Sequence, residues 1–167
     1  MSIWFGTPDL AQITESSRHT LVDHLGIELL ELSDDALVGR MPVDDRTRQP
    51  GGVLHGGASV ALAETLASWA ATCTVDPGSF YCVGMEINAN HVRPVSEGWV
   101  YGRATPLARG RKTQVWDVRI TDERDRLVCV SRCTIAVLHT PSQYVRPTVS
   151  PEEPAVSPQD PAVGPED

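Results

Sequence analysis

The chain has 167 residues, enough for one domain with an adequate core. Its 14 basic and 22 acidic side chains give a formal net charge of −8, which argues against nonspecific binding to nucleic acid or to an anionic membrane. Cys73, Cys82, Cys129 and Cys133 show no metal-ligand spacing, and Cys129 and Cys133 would lie about 13 Å apart along a strand, too far to bridge.

Four ordinary thiols in a reducing cytoplasm are therefore expected. The first ten residues lack the charge-then-apolar build of a signal peptide, which agrees with a cytoplasmic location. Residues 1–18 carry no strong periodicity. Ser17 to Leu25 reads as a short helix, with Leu21, Val22 and Leu25 on one side and Gly26 ending it. Ile27 to Leu32 is mixed strand and turn, Ser33-Asp34-Asp35 is a turn, and Ala36 to Met41 reads as a second strand. Gly39 suggests a bulge there, and Pro42 limits further pairing. Asp44 to Arg48 is a polar loop.

Next comes Gln49-Pro50-Gly51-Gly52-Val53-Leu54-His55-Gly56-Gly57, a glycine-rich turn that delivers a histidine and opens a long helix, Ala58 to Val75. That helix spans about 27 Å. Apolar residues on almost every face predict burial all round. A membrane span is rejected, because Glu64, Thr65, Ser68 and Thr72 interrupt the run and no basic flank follows. Glu64 is the helix's single carboxylate. A carboxylate in a core helix is costly unless paired, neutral or functional. Taken alone, partial solvation or an arginine partner is the plainer reading.

The turn before it changes that reading. Its glycines let the backbone approach a ligand closely, and the first amides of a helix have no internal partners. An oxyanion held at the Gly56 N–H, with Glu64 two turns further on, supplies the electrophile-activating donor and the base that hydrolysis of an activated acyl group requires. Ser68 lies four residues beyond Glu64 on the same face. It suits holding a water or contacting the acyl group, or simply allows close packing. His55 could be a base, but its place before the helix suits orienting the turn.

After the helix, Asp76-Pro77-Gly78-Ser79 is a turn signal. Four strands follow, near Tyr81–Val92, Gly98–Leu107, Thr113–Asp122 and Leu127–Leu138. The third alternates most cleanly, with Trp116, Val118 and Ile120 opposite Val115, Asp117, Arg119 and Thr121. Asn90-His91-Val92-Arg93 ends the first of them, either as a polar strand end turning at Pro94 or as a ligand contact. Arg109-Gly110-Arg111-Lys112 is a basic turn in an acidic protein, read either as a solvated hairpin or as an anion contact. Asp122 to Arg126 is a charged hairpin loop. One long helix against a mainly antiparallel sheet is an α+β architecture. Residues 140–167 hold seven of the 13 prolines and five acids against one arginine, too little apolar surface to offset ordering. The expected organisation is an N-terminal segment, 1–18, a domain, 19–139, and a disordered Pro-rich acidic tail, 140–167.

Gln49…His55-Gly56-Gly57…Glu64…Ser68 resembles the active-site segment of hotdog-fold acyl-CoA thioesterases, and the likeness continues through Val83 to Arg93 and Gln114-Val115-Trp116. It covers roughly Leu21 to Leu138. Within that superfamily it is most similar to the branch containing the Arthrobacter-type 4-hydroxybenzoyl-CoA, the 1,4-dihydroxy-2-naphthoyl-CoA and the enterobactin-proofreading thioesterases. The related phenylacetyl-CoA thioesterases typically carry Asn and Asp where this chain has Gln49 and Glu64. The proline-rich histidine turn of the fatty-acid dehydratases is absent.

The resemblance implies a hotdog fold, an antiparallel β-sheet wrapped around one long central helix, with two subunits joined edge to edge and assembled into a tetramer. It implies hydrolysis of an aromatic acyl-CoA thioester to free acid and coenzyme A. Glu64 would be base or nucleophile, and Gly56 the oxyanion donor. Gln49 and His55 would help to place the carbonyl, and Ser68 the water or acyl ring. His91 and Arg93 would border the thioester pocket, and Arg109, Arg111 and Lys112 would meet the nucleotide phosphates. No metal or bound cofactor is implied, because a thioester is already activated and coenzyme A is part of the substrate. Two rivals remain. One is a noncatalytic acyl-CoA-binding hotdog protein, which would not need Glu64. The other is a proofreading thioesterase acting on an acyl carrier protein, whose acidic surface the basic turn would meet.

Overall fold

The computed structural model describes residues 2–141, so the expected tail lies outside the described residues apart from Thr140 and Pro141. The elements are α1 (Leu10–Ser16), α2 (Leu21–His24), β1 (Glu28–Leu32), β2 (Leu37–Pro42), α3 (Gly56–Cys73), β3 (Phe80–His91), β4 (Trp99–Arg109), β5 (Thr113–Asp122) and β6 (Leu127–His139). The strands form one sheet in the order β1-β2-β4-β5-β6-β3, antiparallel at every step. The sheet wraps α3, which touches every strand from β2 to β6. This is the hotdog arrangement.

Alternation along β5 explains one wall of the core. Gln114, Trp116, Val118, Ile120 and Asp122 are buried, while the residues between them reach solvent in part or in full. From the helix, Leu62, Ala63, Leu66, Ala67, Ala70 and Ala71 are fully buried. Four of these six are alanines, which keep helix and sheet close. The two leucines supply about 1.5–3 kcal/mol each on burial. Leu66 fits a notch. Gly39 on β2 and Gly102 on β4 are cross-strand partners, and a Cβ at either would lie 2.8 or 2.5 Å from the two Leu66 methyls. The glycines are there for this close approach. No bulge forms at Gly39; the register slips instead on β1, between Leu29 and Glu31.

Two further expectations are corrected. The Ser17–Leu25 helix is replaced by α1 and the single turn α2, with His19 between them at φ 60. Asp9 starts α1 by accepting from the Ala11 and Gln12 amides, a cap that outweighs weak apolar periodicity. The N-terminal segment is tied down. Trp4 stacks on Trp116 at 6.4 Å and donates from Nε1 to the Ser33 carbonyl, and the Phe5 amide bonds the Cys73 carbonyl.

The second correction concerns α3, which is not buried all round. Gly57 and Glu64 are exposed, and Val60, Ala61, Thr65, Ser68 and Trp69 are half-buried. A single curled sheet covers one side of a helix, whatever the composition of the other. Among the described residues, no helix is long and apolar enough to cross a membrane.

Candidate functional site

Backbone bonds build the turn before α3. The Gln49 amide donates to Val53 O, the Gly52 amide to Gln49 O, and Gly52 takes the left-handed φ of 77 that a side chain would resist. Arg48 and Leu54 form an isolated bridge, and Arg48 Nε and Nη2 donate to Ser96 O and Val43 O. The His55 and Leu54 amides donate to Thr47 O and Val95 O. The turn is therefore clamped on both sides.

His55 is the N-cap of α3: its Nδ1 accepts from the Gly57 amide at 2.8 Å. With Nδ1 used as acceptor, the proton of the neutral ring sits on Nε2, so the ring orients the turn and can donate. The Gly56 N–H has no acceptor among the described residues. It points outward at the positive end of the helix dipole. His91, the last residue of β3, lies against it, and a Cβ on Gly56 would fall 2.9 Å from His91 Nε2. Gly56 is thus an open amide with an imidazole beside it.

Gln49, Gly56, His91 and Arg93 line one cleft of about 330 Å³, with Ser59, Val53, Leu54, Val92 and Val128 as its floor and walls. Arg93 stands at its rim, donating from Nε to Leu127 O. Ser59, buried at the bottom, was not singled out from sequence, because a small helix residue carries no signal without its surroundings.

Glu64 and Ser68 line a different hollow of about 300 Å³, whose remaining wall is Leu21, Val22, Ala61, Thr65 and Trp69. The carboxylate sits over Gly84 of β3: a Cβ there would meet Glu64 Oε1 at 2.7 Å. Gly84 is the second residue that sequence left unassigned; it makes room for the carboxylate. Cys133 lies beneath. Burial, and then the Glu64 and Glu86 charges, push its thiol up to about 11, so it stays neutral at physiological pH.

The chain therefore brings the candidates together in two groups, not one. They are separated by eight residues of α3, about 12 Å. The Arg109–Lys112 turn joins neither. It caps β4 and β5 near the C-terminal end of α3, where Gln114 Nε2 donates to Thr74 Oγ1, and Arg109 donates to Ile3 O at 3.2 Å.

Both groups border β3, which is an edge of the sheet. Twelve residues long, it leaves Val83 and Met85 43% and 64% exposed, and carries neither lysine nor proline. Only Glu86 and the register slip between Gly84 and Glu86 blunt this edge, and exposed edges of such length are normally covered.

A family model described as the thioesterase superfamily matches residues 51–129, from the glycine turn to Cys129. The proofreading thioesterase EntH of Cronobacter turicensis is 50% identical over 136 residues, covering 81% of this chain and 98% of that protein. A crystal structure of a mutant thioesterase from Pseudomonas aeruginosa superposes with TM-score 0.82 at 45% identity, over 83% of this chain and all of the other. A thioesterase structure from Haemophilus influenzae gives 0.80 at 47% identity, covering 82% of this chain and 95% of the other.

Proposed function

The chain belongs to the thioesterase superfamily and is a thioester hydrolase, and we propose that it cleaves aromatic acyl-CoA at a site shared by two copies of the chain. The observation that carries this reading is the division of the candidate residues. Gly84, beneath Glu64, and His91, against Gly56, lie seven residues apart on the exposed edge strand, about 23 Å. Along α3 the Gly56 amide and Glu64 themselves stand about 12 Å apart, too far for both to act on one thioester carbonyl from a single chain. Antiparallel pairing of two β3 edges about a two-fold axis between them would set Gly84 of one chain opposite His91 of its partner. The carboxylate of one subunit then faces the open amide of the other, twice per dimer.

In that site the thioester carbonyl accepts from the Gly56 N–H, with Gln49 and His55 Nε2 at hand and His91 and Arg93 along the coenzyme A arm. As negative charge grows on the oxygen, the amide and the helix dipole stabilise it. Glu64 of the facing subunit removes a proton from water as it adds to the carbonyl carbon. The tetrahedral species collapses with loss of the coenzyme A thiolate, which takes up a proton. The alternative route is direct attack by Glu64 to give a mixed anhydride, which water then opens. The hollow of Leu21, Val22, Ala61 and Trp69 beside Glu64 and Ser68 favours a flat apolar acyl group.

Mixing variants tests the shared site. Gln49→Ala damages the cleft and Glu64→Ala the hollow. If both belong to one site built by two chains, a mixed dimer holds one doubly damaged site and one intact site. Co-refolding the two inactive variants should restore up to roughly a quarter of wild-type activity at random pairing. Activity that stays at the level of the separate variants refutes the shared site. A second reading is prompted by the similarity to a proofreading thioesterase: the same hydrolysis with the acyl group on a carrier protein. Comparing turnover of one acyl group on coenzyme A and on a carrier separates the two.

A further inference from the structure

Six of the 14 basic side chains of this acidic chain are held in ion pairs among the described residues. Arg18, Arg40, Arg46, Arg48, Arg103 and Arg126 each pair with a carboxylate. Arg93, Arg119, Arg124 and Arg132 make no ion pair among the described residues either but are scattered, whereas the β4–β5 turn gathers its cations in one place. Arg109, Arg111 and Lys112 are exposed, and among the described residues none of them has a carboxylate partner. Three positive charges within four residues are left facing solvent.

The chain leaves the sheet beside this turn. The Val137 amide donates to Lys112 O at 2.9 Å, Ala136 pairs with Thr113, and β6 ends at His139. The Thr140 amide still bonds Ser79 O, and residues 142–167 follow. They carry Glu152, Glu153, Asp160, Glu166 and Asp167 against the single Arg146. Glu152 comes only twelve positions after Thr140. Fully extended at ~3.1 Å per residue, a stretch of that length would reach about 37 Å, several times the ~10 Å from the exit point to the turn. A tether of that length would give the carboxylates an effective concentration at the turn on the order of millimolar. Individually weak exposed ion pairs then suffice.

We propose that the basic turn Arg109–Lys112 is the docking surface for the chain's own acidic C-terminal segment, which there competes with the phosphates of coenzyme A. The docking itself stands on charge and on the exit geometry. The competition rests on the reading of this turn as a phosphate contact.

Lys112 is the only lysine in the chain, which makes the test unusually clean. A water-soluble carbodiimide activates a carboxylate, and a neighbouring amine displaces the activated ester to form an amide with release of the urea. Full-length protein, treated in dilute solution at low salt, should yield an amide between Lys112 and Glu152 or Glu153, identified by peptide mass spectrometry. At about 0.5 M NaCl, where the Debye length is only ~4 Å, that amide should disappear. Coupling of Lys112 to other carboxylates only, or coupling that grows with protein concentration, overturns the docking.

The second arm reads the competition. A full-length variant with Glu152→Gln, Glu153→Gln, Asp160→Asn, Glu166→Gln and Asp167→Asn should lower KM for an acyl-CoA roughly two- to fourfold at low salt, with kcat unchanged. KM for the matching acyl-pantetheine should not move. Coupling at Lys112 without the KM change keeps the docked segment and overturns its competition with coenzyme A. A KM change of equal size on acyl-pantetheine does the same.

Discussion

Gly84→Ala separates the placement of Glu64 from the stability of the fold. A methyl group at position 84 would lie 2.7 Å from Glu64 Oε1, where ordinary contact begins at 3.4 Å, so the carboxylate must yield by about 0.7 Å. It can do so cheaply in structural terms, because Glu64 is exposed and its carboxylate ends a flexible side chain. Gly84 has no left-handed φ, and exchanging glycine for alanine in a strand is neutral or mildly favourable. The melting temperature should therefore stay within about 2 °C of wild type. Catalysis is less forgiving, since a displacement near 1 Å at a reacting group costs on the order of 10²-fold. We expect kcat for an acyl-CoA, followed by thiol release, to fall roughly 10- to 100-fold. Glu64→Asp supplies the internal control. It withdraws the carboxylate by one methylene from the volume the new methyl occupies, so Gly84→Ala should cost much less in that background. Unchanged kcat in the single variant, or an equal loss in both backgrounds, refutes the argument that Gly84 positions Glu64.

Two predictions concern the scaffold. Gly102→Ala should destabilise the protein by about 1–3 kcal/mol, because its methyl enters the space of the fully buried Leu66; adding Leu66→Ala should give a pair well short of additive in thermal unfolding. Asp122 governs the acid limb of stability at the β5–β6 hairpin. Hydrogen bonds from the Arg126 side chain, then from the Arg126 and Arg124 amides, overcome burial and hold it at about 2. Since the folded value lies below the unfolded one of about 3.9, its contribution is complete above pH ~4 and disappears as pH falls toward ~2. Asp122→Asn should flatten the loss of melting temperature in that window, and parallel curves for variant and wild type would exclude Asp122 as the group.

The parts of this molecule that the sequence made legible are those in which a local pattern has a local cause. Period-two alternation on β5 marks the core wall because each residue meets only the layer directly above it. The glycine turn, His55 and the open Gly56 amide could be read because a helix N-terminus always leaves amides unpaired. α1 escaped notice because it buries only Ile13 and depends on its Asp9 cap. Gly84 and Ser59 escaped for a different reason. Their importance comes from what lies across the fold, Glu64 in one case and the cleft floor in the other, and no spacing along the chain encodes that.

The misreading of α3 says most about the site. A helix whose residues are apolar on nearly every face ought to be buried on every face, yet the sheet covers only one side and leaves Ala61, Thr65, Ser68 and Trp69 half-open around Glu64. Composition reports how much cover a helix needs, not which chain provides it. Uncovered helix and uncovered β3 edge border the same two hollows, and each hollow holds half of the expected chemistry. A second copy along β3 would answer both deficits with one interface. That economy is the physical reason to expect the burial read from the sequence to be completed between subunits, and to expect hydrolysis to depend on their association.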